Sequence, residues 1–536
     1  MSPNNTRPKF LKVGLAILLI FLLFLAGIQV FLSYYLDDLV ENRLSNAVSE
    51  HTLNQYQLQI DELTLSVWNR KMDLKGVSLH PTNSSSTAPK IEFDQFSITG
   101  IQFLPYLWNG SVSIADVHFL NPTARIVENS PDSLVFLNQT TDSLSNQTDP
   151  PNITVGRFIV VGGSVNLQTS DQSSSRAELH DFNLMISGIR MDSTSRLNFP
   201  YFDFESFTTS SGNFRYAFKN GLYAIESNQT EYSTTANIAS LDSLKLIPQY
   251  PRYEFARKIG HQKDRISLTV GQLLLENPDI ESLKSGKLIA DRFTINAADL
   301  DVFHSKLVPD GPDRVKTFPH MAFKNLKFPV TIDTIAINQS EIRYSEHLPD
   351  VNRPGTVTFS NVNGMFANVT NDSITVSGGH EITLDVSSDV MGVAKLDAYF
   401  VLPMNEEGDH TARGTLASMQ ATQLNPILEP VGLIRTERGT IHSLQFLMDL
   451  KANSASGWTQ LVYSDLKIAV LDSDHVNSGG RKWLKSVLAN LLRIKENNDK
   501  EPFRRGEISK EREETKSMFS YWWKSLSTGL KDNIGL

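Results

Sequence analysis

Cysteine is absent from the 536 residues of the chain. Neither a disulfide nor a thiolate metal site can form, so the fold must be stabilised by burial of apolar surface. The sequence also lacks G-x-G-x-x-G, G-x-x-x-x-G-K-[ST], G-x-S-x-G and H-E-x-x-H. Its 12 histidines are scattered without the spacing of metal ligands. We therefore predict no catalytic residue, no metal and no cofactor, and we do not expect an enzyme.

Two short polar groups deserve comparison with known chemistry. Asp472, Asp474 and His475 could ligate a metal, but a polar turn is the simpler interpretation. Glu346 and His347 lie beside Tyr344 in the sequence and could form an acid–base pair. A solvated strand end explains them far better, and we favour that interpretation.

Charge is unevenly distributed along the chain. The whole chain has a net charge of -9, whereas residues 1–36 and 481–536 are each net positive, so the middle is strongly acidic. An acidic middle argues against nucleic acid as a partner. A basic, aromatic C-terminal segment suits an anionic membrane surface, although a solvated helix face has similar charges.

The longest apolar run covers residues 13–32, in which Gln29 is the only strongly polar residue. A helix of this length spans roughly 30 Å, the thickness of the hydrocarbon core of a bilayer. Arg7, Lys9 and Lys12 precede the run, and acidic residues follow it. The positive-inside rule then places the N-terminus in the cytoplasm. The alternative is a cleaved signal peptide, but the run is long and no A-x-A site follows it.

After residue 57 the period changes to that of strands, and one spacing recurs. Apolar residues occupy relative positions 0, 2, 5 and 7, and position 3 is usually Asp or Gly. Some copies continue at positions 12 and 14, for example with Ile342 and Tyr344. The seven copies are Leu58/Ile60/Leu63/Leu65, Ile91/Phe93/Phe96/Ile98, Val112/Ile114/Val117/Phe119, Ile153/Val155/Phe158/Val160, Leu268/Val270/Leu273/Leu275, Leu288/Ala290/Phe293/Ile295 and Val330/Ile332/Ile335/Ile337.

Residues two apart share one face of a strand, whereas a step of three changes the face. A β-bulge at position 3, where Asp or Gly tolerates the backbone, would restore the face. Each copy then has one apolar face that a single copy cannot bury but stacked copies can. We favour a solenoid-like repeat over an ordinary antiparallel sandwich.

The domain prediction follows the changes of period. It consists of a cytoplasmic tail (1–12), a transmembrane anchor (13–36), a juxtamembrane helix (37–52), a first β-repeat half (53–240), an irregular connector with prolines and a short helix (241–263), a second β-repeat half (264–480) and a basic amphipathic helical tail (481–536). The tail has a helical stripe in residues 481–494. Its second helix, in residues 517–530, either lies at a membrane interface or closes the end of the sheet. The candidate membrane-interface residues there are Phe519, Trp522, Trp523 and Leu526.

Several longer stretches resemble the AsmA-like family. They are the anchor, LQIDELTL (58–65), residues 105–126, FKNLKFPVTIDTIAINQSEIRYSE (323–346), residues 353–371 and residues 414–450, which include the Leu424-Asn425-Pro426 element and Gly439. The resemblance covers most of residues 10–470, and each motif alone is loose. It implies a protein of the bacterial inner membrane, with its bulk in the periplasm, related to the AsmA/TamB group.

The fold class that we predict is therefore mainly β: an N-terminal transmembrane helix, an elongated repeat β-sheet groove and C-terminal amphipathic helices. The resemblance implies that such a groove carries phospholipids between membranes or maintains the outer membrane. The alternative function is a structural or assembly factor of the envelope, possessing no open groove. Partners would be lipid acyl chains and other envelope proteins. The candidate groove-lining residues are Leu58, Ile60, Leu63, Leu65, Ile91, Phe93, Phe96, Ile98, Val112, Ile114, Val117, Phe119, Leu288, Phe293, Ile295, Val330, Ile332, Ile335, Ile337, Ile342 and Tyr344.

Overall fold

The computed structural model describes residues 48–49, 52, 54–66, 69–82, 88–102, 111–128, 152–192, 202–312, 315–471 and 494–535. The predicted tail and anchor, almost all of the juxtamembrane helix, the helix at 481–494 and the group Asp472–His475 lie outside these residues. The described chain is mainly β, as the period of two predicts. None of the helices described is long and apolar enough to span a bilayer.

The chain divides into two compact units. The first comprises Met1–Gly221 and Ile225–Asn237, and the second comprises Leu222–Ala224 and Ile238–Leu536. Residues 241–263, predicted as a connector between two halves, lie inside the second unit. They contain the end of a strand and the predicted short helix.

The strands described before residue 238 are β1 (Tyr56–Gln59), β2 (Glu62–Ser66), β3 (Lys71–Pro81), β4 (Lys90–Thr99), β5 (Ser111–Leu120), β6 (Thr123–Val127), β7 (Asn152–Gln168), β8 (Ser175–Met191), β9 (Ser206–Ser211), β10 (Phe214–Ala217), β11 (Tyr223–Ser227) and β12 (Gln229–Ser233). In the first unit β1 and β2 both pair with β3, and β3 pairs with β4. β4 pairs with β5 and β6, which both run parallel to β7. β8 follows β7 in antiparallel orientation.

The strands of the second unit are β13 (Ile238–Pro248), β14 (Arg265–Glu276), β15 (Leu288–Ser305), β16 (Val330–His347), β17 (Gly355–Thr370), β18 (Glu381–Val390), β19 (Ala394–Pro403), β20 (His410–Leu416), β21 (Met419–Gln420), β22 (Ile434–Leu450), β23 (Ser454–Val470) and β24 (Gly506–Glu511). Consecutive strands from β13 to β20 pair with each other, and only β15 and β16 among them are parallel. β20 and β21 pair with β22, and β23 and β24 complete the ladder.

The helices described for the second unit are α1 (Arg252–Ile259), α2 (Ile280–Lys284), α3 (Pro319–Lys324), α4 (Ser373–Ser377), α5 (Asn425–Gly432) and α6 (Met518–Ile534), with a 3-10 turn at Ala421–Leu424. α3 lies in the crossover between the parallel strands β15 and β16. Such a crossover must return along the sheet to the start of the next strand. Ser517 caps the N-terminus of α6, because its hydroxyl accepts a hydrogen bond from the backbone amide of Ser520.

The repeat copies lie beside each other in register wherever the strands are parallel. Leu288, Ala290, Phe293 and Ile295 of β15 stand opposite Val330, Ile332, Ile335 and Ile337 of β16. The same correspondence holds in the first unit between Val112/Ile114/Val117/Phe119 of β5 and Ile153/Val155/Phe158/Val160 of β7. The spacing therefore marks equivalent positions of neighbouring strands.

The step of three is accommodated differently from the predicted bulge. The register of β16 and β17 passes Asp333 without a shift, and the shifts fall between Ile337 and Ile342. The residue opposite each position-3 Asp instead adopts a left-handed backbone: Asn277 opposite Asp291 has φ 54°, and Asn368 opposite Asp333 has φ 60°. Both strands therefore kink at the same place. The alternation of side chains between the two faces changes on both strands, while the pairs of opposite residues stay in register. Asn tolerates this conformation better than most residues.

Candidate apolar binding face

The predicted lining residues of the first unit are buried in a protein core. Ile98, Val112, Ile114, Val117 and Phe119 belong to one cluster, against which Leu58, Ile60, Leu63 and Phe93 pack. Val117 is 0% exposed and Phe158 is 2% exposed. The rings of Phe93 and Phe96 lie 5.4 and 4.7 Å from the ring of Phe119. Ile91 belongs to a neighbouring cluster with Tyr56 and Leu79. The side chain of Leu65 lies outside the described residues.

In the second unit the equivalent residues form apolar rows that cross β13 to β17. Residues directly opposite on paired strands share a face of the sheet, and register therefore defines each row. We call the part of this face on β13 to β16 the open face. Its rows are Leu241–Leu273–Ile295–Ile337, Leu275–Phe293–Ile335, Leu246–Leu268–Leu300–Ile342 and Val302–Tyr344.

Every residue of these rows is half-buried. Positions 0, 5 and 7 of the repeat are buried on β4, β5 and β7 of the first unit but half-buried on β14, β15 and β16. Position 2 on these three strands of the second unit is buried, as Val270, Ala290 and Ile332 show. α1 packs against β14 and β15, and the ring of its Tyr253 lies 5.2 Å from the ring of Phe303. Phe303 alternates with Val302 along β15, so α1 covers the opposite face. The open face thus retains apolar surface that packing within the described residues leaves accessible.

The same face is closed further along the sheet. Phe318 and Met321 of the crossover pack with Ala412, Phe446 and Met448. Phe323 packs with Val369, Ile382 and Leu402. Ile335, the last residue of its row, packs against the same cluster, so the closed part begins where this row ends. Because Ile332 stands directly opposite Val369, Ile332 and Ile335 share this face, as the repeat predicts.

α6 adds to the closed part. Among the four candidate membrane-interface residues, Trp522 and Leu526 pack into the cluster with Tyr521 and Ile508. Phe519 and Trp523 are 38% and 40% exposed. The rings of Phe519 and Tyr344 lie 5.0 Å apart. The helix therefore packs on the sheet along one side, and two of the four aromatic and apolar residues remain at the surface.

The open face ends in charged groups. Asp264 Oδ1 lies 2.7 Å from His304 Nδ1. Glu346 of β16 stands opposite His304 of β15. It accepts a 2.8 Å hydrogen bond from the Tyr344 hydroxyl and forms an ion pair with Lys306. Burial raises the pKa of Tyr344, and the charge of Glu346 adds to this effect. Burial opposes ionisation of Asp264, but the hydrogen bond and charge of His304 outweigh it and lower the pKa of Asp264.

Glu346 and His347 do not form an acid–base pair. They alternate along β16 and therefore point to opposite faces. His347 is 6% exposed, which differs from the solvated strand end that we expected. It lies 2.9 Å from the Tyr253 hydroxyl and 2.6 Å from the carbonyl oxygen of Val351. Its role is to hold α1 and the turn after β16 against the sheet.

A ladder of polar side chains stabilises the strands next to the open face. Gln272 donates to Asp242 at 3.2 Å, Asn296 donates to Gln272 at 3.3 Å, and Asn338 donates to Asn296 at 2.9 Å. These residues follow or precede row residues and so occupy the opposite face. The ladder was not predicted from the sequence. The feature of the sequence that could have revealed the ladder is the Asn that follows position 7 of the repeat, as at Asn296 and Asn338.

Within the described residues no three His, Cys, Asp or Glu side chains are grouped as metal ligands. The geometry defines a class: a mainly β protein of two units, with a half-buried apolar face in the second unit and a charged rim at one end of that face. Comparison with protein-family models and with characterised proteins finds no match for the chain.

Proposed function

We propose that the open face binds the acyl chains of membrane lipids. The observation that carries this proposal is a contrast in burial at positions 0, 5 and 7 of the repeat: these positions are buried on β4, β5 and β7 of the first unit and half-buried on β14, β15 and β16 of the second. Transfer of each CH₂ from water to an apolar site gains about 0.8 kcal/mol. An acyl chain therefore binds a continuous apolar row without a specific polar partner, and the charged rim offers polar groups to a headgroup.

The proposal includes the cellular location and membrane topology that the sequence implies. The apolar run at residues 13–32 would anchor the chain in a bacterial inner membrane, with the N-terminus in the cytoplasm and the bulk in the periplasm. In an AsmA-like protein of this kind the face would hold phospholipids during transport between membranes or during maintenance of the outer membrane. Such a role uses repeated Ile, Leu, Val and Phe and requires no catalytic group or cofactor.

The second candidate is a structural or assembly factor of the envelope. The closed core of the first unit favours it, because a face packed around Val117 and Phe158 has no room for a ligand. The two functions differ only in what the face of the second unit does. An experiment on that unit therefore distinguishes them.

The test compares the phospholipid content of purified full-length variants. Ile337→Asp places a charge in a row at its β16 end, and Met365→Asp places the same charge on the opposite face of the adjacent strand. Met365 is 50% exposed and stands opposite Ala336, which alternates with Ile337. We expect less phospholipid per chain in Ile337→Asp than in the wild type and in Met365→Asp. Equal content in all three folded proteins would favour the structural role.

A further inference from the structure

Three connecting segments meet at one end of the second unit. Residues 277–287 lead into β15, residues 325–329 lead into β16, and residues 371–380 join β17 to β18. β15 and β16 begin side by side, with Leu288 opposite Val330. β17 is antiparallel to β16 and ends at the same place, with Thr370 opposite Thr331. We call these three segments the tip.

The tip exposes large apolar side chains on each of its segments. Ile374 is 82% exposed, Leu326 is 52%, Phe328 is 44% and Leu283 is 37%. Single exposed apolar residues are ordinary, but several at one end of a domain mark a surface that contacts another apolar phase or partner.

The tip is held in place by buried hydrogen bonds. Asn371 is 8% exposed. Its Oδ1 accepts from the Val330 amide at 2.6 Å, and its Nδ2 lies 3.1 to 3.4 Å from the carbonyl oxygens of Phe323, Leu326 and Phe328. Asp372 caps α4 by accepting from the Thr375 amide at 3.1 Å. These bonds fix the backbone on both sides of the exposed residues, so their exposure belongs to the folded structure.

The charge of the tip differs from that of the chain. Its segments contain Lys284, Lys287 and Lys327 against Asp279, Glu281 and Asp372 and are neutral overall, whereas the chain has a net charge of -9. Lysines place their alkyl stems along apolar surface and their ammonium groups toward water or phosphate. A mixture of exposed apolar residues and lysines is typical of segments that enter the headgroup region of a bilayer.

We propose that the tip inserts into the interface of a phospholipid bilayer and that acyl chains reach the open face from it. The inference rests on the proposed function, because it names the membrane with which the open face exchanges lipid. Leu288 and Val330, the first residues of β15 and β16, are half-buried and belong to the same repeat copies as Phe293 and Ile335 of the rows. A lipid surface therefore explains the exposed residues, the lysines and the continuity with the apolar rows together.

The absence of cysteine allows a direct test, since one introduced cysteine is a unique labelling site. Ile374→Cys is labelled with an environment-sensitive fluorophore in the full-length protein, reconstituted in vesicles of phosphatidylcholine and phosphatidylglycerol. Val393→Cys is the matched control, because Val393 is 49% exposed in the turn between β18 and β19, at the other end of these strands. We expect blue-shifted emission at 374 that brominated phospholipids quench, with little quenching at 393.

Three outcomes overturn the inference: equal quenching at both sites, no quenching at either, or a blue shift at 374 that brominated lipids do not quench. The last result would mean that protein covers the tip. A second label at position 337 separates this inference from the proposed function. Quenching at 337 without quenching at 374 contradicts the tip alone, whereas quenching at 374 without lipid contact at 337 contradicts the open face alone.

Discussion

Trp522 of α6 donates a 2.8 Å hydrogen bond from Nε1 to Nε2 of His410 at the start of β20. His410 Nδ1 lies 3.0 Å from the carbonyl oxygen of Gly408 and must donate to it. His410 is therefore neutral, since both nitrogens are committed and one of them accepts. His320 of α3 shares the same carbonyl at 3.2 Å. This contact joins the C-terminal helix, the crossover and the sheet over the closed part of the apolar face.

The contact predicts a pH dependence of α6 docking. Burial lowers the pKa of His410 from 6.5 to about 4, and the nearby His320 and Arg512 act in the same direction, whereas Asp409 opposes them. Burial also lowers the pKa of His320. Between about pH 4 and pH 6.5 the unfolded chain binds more protons than the folded chain, because His410 is protonated only when it is unfolded. The contribution of neutral His410 to the free energy of unfolding is therefore complete above about pH 6.5. It is lost as the pH falls toward 4, by an amount on the order of 3 kcal/mol.

We expect hydrogen exchange in residues 518–534 to accelerate as the pH falls through this range. His410→Gln should flatten the dependence because it removes the titrating group. Trp522→Phe should weaken docking at every pH by about 1 kcal/mol, the value of one buried hydrogen bond. A flat pH profile in the wild type, after correction for intrinsic exchange, would contradict this account.

The packing of α6 on β24 depends on two glycines. A Cβ at Gly506 would lie 1.9 Å from the carbonyl oxygen of Gly529. Gly506→Ala should therefore displace the helix and increase hydrogen exchange in residues 518–534. Gly432→Ala is the control, because a Cβ there meets its nearest neighbour at 4.0 Å. Unchanged exchange in Gly506→Ala would show that α6 is not seated on the sheet.

The paired kinks predict a residue preference. Asn277 has φ 54° and donates a 2.8 Å hydrogen bond to Asp291. Asn277→Ala should destabilise the second unit by about 1–2 kcal/mol through backbone strain and the lost bond. Asn277→Gly should cost less, because glycine adopts this conformation freely. Denaturation midpoints would reveal the difference, and the reverse order would contradict a left-handed backbone at this position.

The two units should respond differently to a charge in the same repeat position. Phe119 and Ile337 are both at position 7 of their copies, but Phe119 is 3% exposed. Phe119→Asp should cost about 4 kcal/mol or more and unfold the first unit, as an unpaired buried charge does. Ile337→Asp, in a half-buried row, should leave the second unit folded. Limited proteolysis with mapped fragments would show which unit opens, and equal sensitivity would argue against an open face.

The repeat and its pairing could be predicted from the sequence because they depend on local spacing. The copies that begin at Leu288 and Val330 are aligned in the structure as their spacing indicates. Which copies are covered could not be predicted, because the cover comes from distant residues. Trp522 and His410 are separated by 112 positions, and Phe318 reaches Met448 only because the crossover returns along the sheet. The bulge at position 3 was wrong in detail because the kink is shared with the partner strand, where a residue such as Asn368 adopts the unusual conformation.

The central claim is that the open face holds lipid, and photocrosslinking in living cells tests it most directly. A photoreactive amino acid is placed at position 337, in a row of the open face, or at position 365, on the opposite face of the neighbouring strand. The account predicts phospholipid crosslinks at 337 and few at 365, although Met365 is 50% exposed. Equal labelling at the two positions, or none at 337 in a folded protein, would contradict it.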